Sequence, residues 1–266
     1  MPSISNVAIG SNMAAASANK ARHGMNESIA RLSTGIRAMY GGDAAGHSVG
    51  TVHSAEAKSY SSATRNIENG ISYAQTGESV LLEVANLAQR IRELAIADDN
   101  AALLDANQIA ALDAEATQIG DSIDAILDNV KFNGVEVVDS AASKTVAVNY
   151  SGDASSVTST VGPGQAVAAM AGLTDATNGQ ALADTFLGNV AVALGNIAAD
   201  LTALKAFQGA ASATSANLAA ASARILDTDY ATETANLTKN NILNQAALSM
   251  AAQANNAQSA ILSVLQ

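Results

Sequence analysis

The last forty residues of the chain, 227–266, carry a helical repeat but almost no charge. No Gly or Pro interrupts them, and no charged side chain follows Lys239. Apolar and small residues recur at alternating steps of four and three, which predicts one packed stripe along a long α-helix. A surface helix normally carries charges on its outer face. Because this one carries none on any side after Lys239, we predict that protein surrounds it there. The stripe comprises Leu243, Ala247, Met250, Ala254, Ala257, Ile261 and Val264.

The opposite end of the chain has the same character. Residues 1–19 carry no charge, and a stripe with the same spacing predicts a second long helix, with one four-residue step after Met25. Three glycines interrupt it, and each costs about 1 kcal/mol relative to Ala inside a helix. Packing rather than intrinsic propensity must therefore hold this helix. Its stripe comprises Ile4, Val7, Ser11, Ala14, Ala18, Ala21, Met25, Ile29, Leu32, Ile36 and Met39, and its glycines are Gly10, Gly24 and Gly35.

The sequence between the two ends predicts ordinary amphipathic helices around a small β region. Four glycines at 40–50 predict a break after the first helix, and a sideways shift of the apolar stripe near 226–230 predicts another. Residues 131–180 are rich in Gly, Ser, Thr and Val, which predicts two to four short strands paired as hairpins. Helical periodicity covers about 55–98, about 104–130, and the chain from Leu187 onward.

The predicted fold is mainly α, a long antiparallel helical bundle or coiled coil with a small β-hairpin region in the middle of the chain. The simplest arrangement brings the two uncharged ends together and folds the amphipathic helices into a rod. The predicted domains are an inner helical domain from 1–40 and 227–266, a rod-like helical domain from 41–135 and 181–226, and a short variable β or loop region at 136–180.

Composition and motifs exclude several classes of protein. A net charge of −11 argues against nucleic acid and anionic membranes as partners. The chain has no cysteine, which removes disulfides and thiol chemistry. No apolar run approaches the roughly 20 residues that span a bilayer. No nucleophile or phosphate-binding motif is present, and the three histidines lack metal-site spacing. We therefore expect no enzymatic activity, no metal and no cofactor. The histidines are His23, His47 and His53.

The two uncharged ends predict self-assembly. Their stripes contain many alanines, which bury little area each, whereas ordering a residue costs about 1–2 kcal/mol of backbone entropy. We therefore predict that both ends are disordered in a free monomer and become ordered when many copies pack side by side. Contacts that do not close into a ring build a helical filament. The contrasting possibility is a secreted, monomeric effector with coiled-coil ends.

Six sequence blocks give the chain a family resemblance. They are Arg31 to Arg37 (RLSTGIR), Asp43 to Gly46 (DAAG), Arg65 to Thr76 (RNIENGISYAQT), Leu87 to Ala95 (LAQRIRELA), Lys131 to Gly134 (KFNG) and Ser222 to Glu233 (SARILDTDYATE). In this order they resemble the bacterial flagellins, and the resemblance covers about 1–139 and 181–266.

The resemblance implies an extracellular bacterial flagellar filament that serves swimming motility. In such a filament the terminal helices form an inner tube around a central channel and the rod forms the outer wall. It also implies export through the flagellar type III apparatus, which fits the absence of a cleavable signal sequence within 1–19. Implied partners are an export chaperone on the C-terminal tail, the filament cap and the hook-junction proteins. A hook–filament junction protein, which would share the ends of the chain, is the alternative within this apparatus.

The block around Arg90 has two interpretations. In many flagellins, the resemblance implies, an animal Toll-like receptor recognises this segment, and the matching contacts here would be Arg90, Leu94 and Glu115. The other interpretation is that these residues pack subunits together within the filament, which we favour as their native role. For the assembly seam itself, the sequence nominates Met25, Ile29, Leu32, Ile36, Leu243, Met250, Ile261 and Val264.

Overall fold

The computed structural model describes residues 2–38, 42–138, 144–148, 158–163, 167, 170 and 173–265. It confirms a mainly α fold. The helices are α1 (Pro2–Thr34), α2 (Ala44–Asp98), α3 (Ala106–Asn129), α4 (Gly179–Leu226) and α5 (Tyr230–Leu265), with a 3-10 turn at Ala101–Leu103. The strands are β1 (Lys131–Phe132), β2 (Val135–Glu136), β3 (Lys144–Ala147) and β4 (Thr158–Val161).

The chain forms two compact units, and each of α2 and α4 contributes to both. Unit 1 comprises Met1–Ala55 and Leu218–Gln266, and unit 2 comprises Glu56–Asn217. The helix ends lie close to the predicted domain limits at 40 and 227, whereas the compact units divide further along α2 and α4. The division into an inner domain and a rod therefore stays a prediction.

Local signals in the sequence account for the helix ends. Asp105 begins α3 with a capping box, since its carboxylate accepts from the amide of Gln108 at 3.0 Å while the Gln108 side chain accepts from the amide of Asp105 at 3.1 Å. Asp229 caps α5 through its side chain alone, with its Oδ1 accepting from the amides of Ala231 and Thr232 at 2.9 and 3.2 Å.

The first helix ends earlier than its apolar stripe predicts. Gly35 adopts a φ of 71°, a left-handed conformation that glycine adopts without penalty, and so α1 stops at Thr34. Ile36 consequently lies outside the helix and pairs in an isolated antiparallel bridge with Asp227. The prediction that the stripe continues through Ile36 was wrong, and Met39 falls outside the described residues. The second helix begins at Ala44, well before the predicted start.

The β region consists of two separate two-stranded antiparallel sheets, which confirms the predicted hairpins. Strand β1 pairs with β2 and β3 pairs with β4, in the register Thr145 opposite Thr160. The turn between β1 and β2 is Asn133–Gly134, and both residues have positive φ, as a tight hairpin turn requires.

Unit 2 has a core of aliphatic side chains from α2, α3 and α4. Helices α2 and α4 run antiparallel, because Arg92 bonds Asp184 at 2.7 Å whereas Glu68 bonds Gln208 at 3.2 Å. Tyr73 ties the β region to this core, since its hydroxyl donates to the carbonyl of Glu136 at 3.0 Å. The fully buried large side chains include Ile67, Leu81, Val84, Ile91, Ile123, Val138, Val161, Val190, Ile197 and Leu204.

Helix α4 is long and apolar enough to cross a membrane, and it is the one such helix in the described part of the chain. Its core role in unit 2 accounts for much of that apolar character, since Val190, Ile197 and Leu204 are all buried there. The length and composition of α4 are therefore weak evidence for a membrane segment.

Two isoleucines of α2 test the core of unit 2. Ile91 is fully buried, whereas Ile96 is 46% exposed. We expect Ile91→Ala to lower the free energy of unfolding by about 2–5 kcal/mol, because it leaves a cavity. The matched change Ile96→Ala should stay within about 0.5 kcal/mol of the unaltered protein. Urea unfolding followed by circular dichroism measures both, and equal losses would contradict the assigned core.

Candidate functional site: the outer faces of the terminal helices

Unit 1 pairs α1 with α5 in an antiparallel arrangement. Arg31 lies 3.5 Å from Glu233, and Gly24 lies against Asn240, whose amide would sit 2.7 Å from a Cβ placed on residue 24. These two contacts are seven residues apart on each helix, in opposite directions along the chain. The helices therefore keep one register across a full heptad.

The seam between the two helices consists mainly of small side chains. Cα atoms of α1 and α5 approach within 8 Å at many points along the pair. Small residues permit such close packing. The residues that are at least partly buried along the seam include Ser11, Ala14, Ala18, Ala21, Gly24, Met25, Ser28, Arg31 and Leu32 of α1, and Glu233, Leu237, Asn240, Asn244, Ala247, Ala251 and Ala254 of α5.

Most of the large apolar side chains described in the same helices are exposed. Met250 and Leu243, one heptad apart on α5, are 61% and 48% exposed, and Met13 of α1 is 67% exposed. Exposed apolar groups on a soluble protein commonly mark surfaces that bind other proteins. Among the side chains that the structure describes in α1 and α5, the exposed large apolar ones are Ile9, Met13, Ile29, Tyr230, Ile242, Leu243, Leu248 and Met250.

The structure divides the predicted seam residues into two groups. Met25 and Leu32 are partly buried on the seam, as the spacing predicts. Ile29, Leu243 and Met250 lie outside it and are exposed. As residues of the α1–α5 contact they were predicted wrongly, because a second heptad stripe of small and polar residues on α5 packs instead. Whether they form an assembly seam between copies stays a prediction. The side chains of Ile261 and Val264 lie outside the described residues.

A hydrogen-bonded crossing joins the ends of unit 1's helices. The amide of Thr228 donates to the carbonyl of Gly35 at 2.9 Å, and the amide of Arg37 donates to the carbonyl of Leu226 at 2.7 Å. The crossing holds the end of α1 beside the start of α5. Sequence analysis anticipated breaks at both places but not that they pair.

Arg37 connects this crossing to the start of α2. Its guanidinium donates to the carbonyl of Ile225 at 3.1 and 3.2 Å and to the carboxylate of Asp43 at 2.8 Å. Asp43 in turn accepts from the amide of Gly46 at 2.8 Å and so caps α2. The Gly46 amide first, and then Arg37, hold the pKa of Asp43 below its ordinary value of 3.8.

The Arg90 segment lies in unit 2 and is partly buried. Arg90 and Glu115 form an exposed ion pair at 2.8 Å, and Arg90 also reaches Glu93 at 3.1 Å. These hydrogen bonds, that to Glu115 above all, raise the pKa of Arg90. Leu94 is only 3% exposed and packs with Ala116. A side chain with so little exposed surface offers a receptor almost nothing to contact, and the receptor role of Leu94 stays a prediction.

Two family models match the chain: that of the bacterial flagellin N-terminal helical region at residues 4–143, and that of the C-terminal helical region at 190–265. A flagellin of Halalkalibacterium halodurans is 34% identical over 90% of this chain and 91% of that protein. The flagellar filament 33 kDa core protein of Treponema phagedenis is 30% identical over 91% of this chain and 92% of that protein. A crystal structure of Bacillus cereus flagellin covers 58% of this chain and 88% of that chain, with 24% identity and a TM-score of 0.41.

A helical chain with closely paired ends and exposed apolar stripes has the features of a self-assembling structural subunit. The chain belongs to the bacterial flagellin family, on the two family models and on relatives that match it almost end to end. It is a structural subunit of the extracellular flagellar filament that serves motility, and it is not an enzyme. The relatives do not favour the junction protein or the monomeric effector.

The lowered pKa of Asp43 gives a test of the Arg37 contact. A carboxyl whose pKa is lowered in the folded state stabilises the fold above its unfolded pKa, and this contribution is lost as the pH falls through the folded value. We expect Arg37→Ala to raise the Asp43 pKa towards 3.8 while leaving it below that value, since the Gly46 amide remains. Carboxyl titration by NMR measures this shift. Arg65→Ala, in unit 2, is the control, and an unchanged Asp43 titration in Arg37→Ala would contradict the contact.

Proposed function

We propose that the exposed apolar stripe of α5, defined by Leu243 and Met250, packs against other copies of the chain in the filament. The observation that supports this is that side chains of different size lie on opposite faces of α5. Small residues such as Ala247 face α1, whereas most of the large apolar ones described on α5 remain exposed. Within one molecule, this arrangement leaves the larger hydrophobic side chains without a partner.

Energetics favour covering the outer stripe by assembly. Fully burying a Leu, Ile or Met side chain contributes about 1.5–3 kcal/mol, and an Ala on the inner seam contributes less. In the described part of the chain, ten of the fifteen exposed large apolar residues belong to unit 1. No charged residue follows Lys239 in α5, so contact between copies along that part of the helix desolvates no ion of this helix.

Because the seam within one molecule buries little apolar area, we propose that the terminal helices become fully ordered only on assembly. An isolated α1–α5 pair must offset the backbone entropy of both segments, at about 1–2 kcal/mol for each residue, with a seam of Ala, Ser and Asn. We propose that residues 1–35 and 235–266 are largely unfolded before assembly, and that the terminal segments 1–40 and 227–266 form the inner tube of the filament afterwards. Residues 41–135 and 181–226 form the wall, and the short segment 136–180 gives a slim filament.

An initially unfolded C-terminal tail also suits export and handling before assembly. We propose that the chain leaves the cell through the flagellar type III apparatus without a cleaved signal peptide. An export chaperone would bind the C-terminal tail, where Ile242, Leu248 and Met250 provide exposed apolar groups. In the growing filament, the cap and hook-junction proteins would then meet the same outward surfaces that bind further copies.

Recognition by an animal Toll-like receptor remains a proposal for Arg90 and Glu115. Their exposed ion pair offers a charged surface, with side chains 50% and 45% exposed. Leu94 would act only indirectly, by packing beneath them. Within the filament, we propose, the same segment packs against a neighbouring subunit.

Met250 provides the direct test of the assembly surface. Met250→Asp should abolish seeded polymerisation, because a desolvated carboxylate would enter an apolar contact between copies. The monomer should keep its helical content and unfolding midpoint, since Met250 is 61% exposed there. Electron microscopy after addition of filament seeds measures polymerisation, and circular dichroism measures the fold.

Met250→Leu is the matched control, because it keeps size and hydrophobicity and should polymerise normally. Filaments of ordinary length from Met250→Asp would contradict the proposed surface. A persistent monomer from the unaltered protein would instead favour a monomeric effector.

A further inference from the structure

Most of the seam between α1 and α5 cannot fix its own register. Beyond Asn244, the partly or fully buried residues described on α5 are alanines, and those that face them on α1 are alanines with one serine. A slip of one heptad, about 10 Å along a helix, would replace Ala by Ala at most of these positions. The residues involved are Ser11, Ala14, Ala18 and Ala21 against Ala247, Ala251 and Ala254.

One layer of the seam differs from the repeat. The side-chain amide of Asn240 occupies the space that a Cβ on residue 24 would take, 2.7 Å from its Nδ2. After a slip of one heptad, Asn240 would face Ser17 or Arg31 instead of Gly24, and neither leaves that space. A slip of two heptads would bring Asn240 to Gly10 but would leave about four turns of each helix without a partner.

Asn244 adds a second polar group to the seam. Its Oδ1 is buried and has no hydrogen-bond partner in the described part of the chain. A buried Asn in a helical seam specifies register at a cost in stability. The pairing is thus specific and weak at once.

We infer that Gly24 and Asn240 set the register of α1 against α5, and that Asn244 keeps the pair weak. Register decides which exposed residues of α1 lie beside the Leu243–Met250 stripe of α5. The pair Gly24–Asn240 therefore determines the composite surface that copies present to each other, a consequence that rests on the proposed function. The ion pair of Arg31 with Glu233 supports the same register one heptad away.

Engineered disulfides measure this register directly, because the chain has no cysteine of its own. The variant Ala18→Cys with Ala247→Cys reports the observed register, since both residues are buried about one heptad beyond Gly24–Asn240. The variant Ala18→Cys with Ala254→Cys reports a one-heptad slip. Each double-cysteine variant is equilibrated as monomer in a glutathione buffer. The fraction that forms the intramolecular disulfide gives the effective concentration of one cysteine at the other. A disulfide holds the two segments together, so the linked chain reports register even where unlinked ends exchange freely.

We expect a ratio of about tenfold or more between the effective concentration of the observed-register pair and that of the slipped-register pair, equivalent to about 1.4 kcal/mol. Asn240→Ala should bring the ratio close to one, whereas the exposed neighbour Asn241→Ala should leave it unchanged. The exchange Gly24→Asn with Asn240→Gly should restore the preference. A ratio near one in the unaltered background, or no change in Asn240→Ala, would overturn the inference. Seeded polymerisation of the cysteine-free protein tests the proposed function separately, so the two failures are distinguishable.

Discussion

The close packing of small side chains between α1 and α5 is the constraint on which the rest of unit 1 depends. Alanine, serine and glycine let the two backbones approach within 8 Å, but they bury little apolar area. The larger side chains of both helices are therefore available for other contacts. A pair built in this way is specific without being strong, which is what a subunit needs if it must travel unfolded and become ordered on arrival.

The hydrogen-bonded crossing beside this pair positions the two helices relative to each other. Gly35 ends α1 through its positive φ, and the backbone crossing with Thr228 places the start of α5 against it. Arg37 then ties the end of α4 to the cap of α2. Unit 2 is held differently, by a continuous aliphatic core. The stability of unit 2 thus comes from its own residues, whereas we propose that the stability of the terminal pair comes largely from neighbouring copies.

Periodicity and turn residues predicted most of the fold, including five helices, the break near 226–230 and the two hairpins. The lack of charge after Lys239 on α5 also pointed correctly to self-assembly. The stripe of α5 was misassigned because two heptad frames share Ala247 and Ala254, and hydrophobicity favours the frame with Leu243 and Met250. In the structure, the frame with Asn240 and Asn244 packs against α1, since Gly24 offers space opposite Asn240. A pattern within one helix cannot show which residue faces it across a seam.

Hydrogen exchange on monomer and filament is the most direct test of assembly-coupled order in the terminal helices. Amides of residues 1–35 and 235–266 should exchange rapidly in the monomer, while those near Ile91 and Leu204 in unit 2 stay protected. In the filament both sets should be protected. Strong protection of the terminal segments in the isolated monomer would show that the α1–α5 pair is stable without neighbours, and would contradict the account.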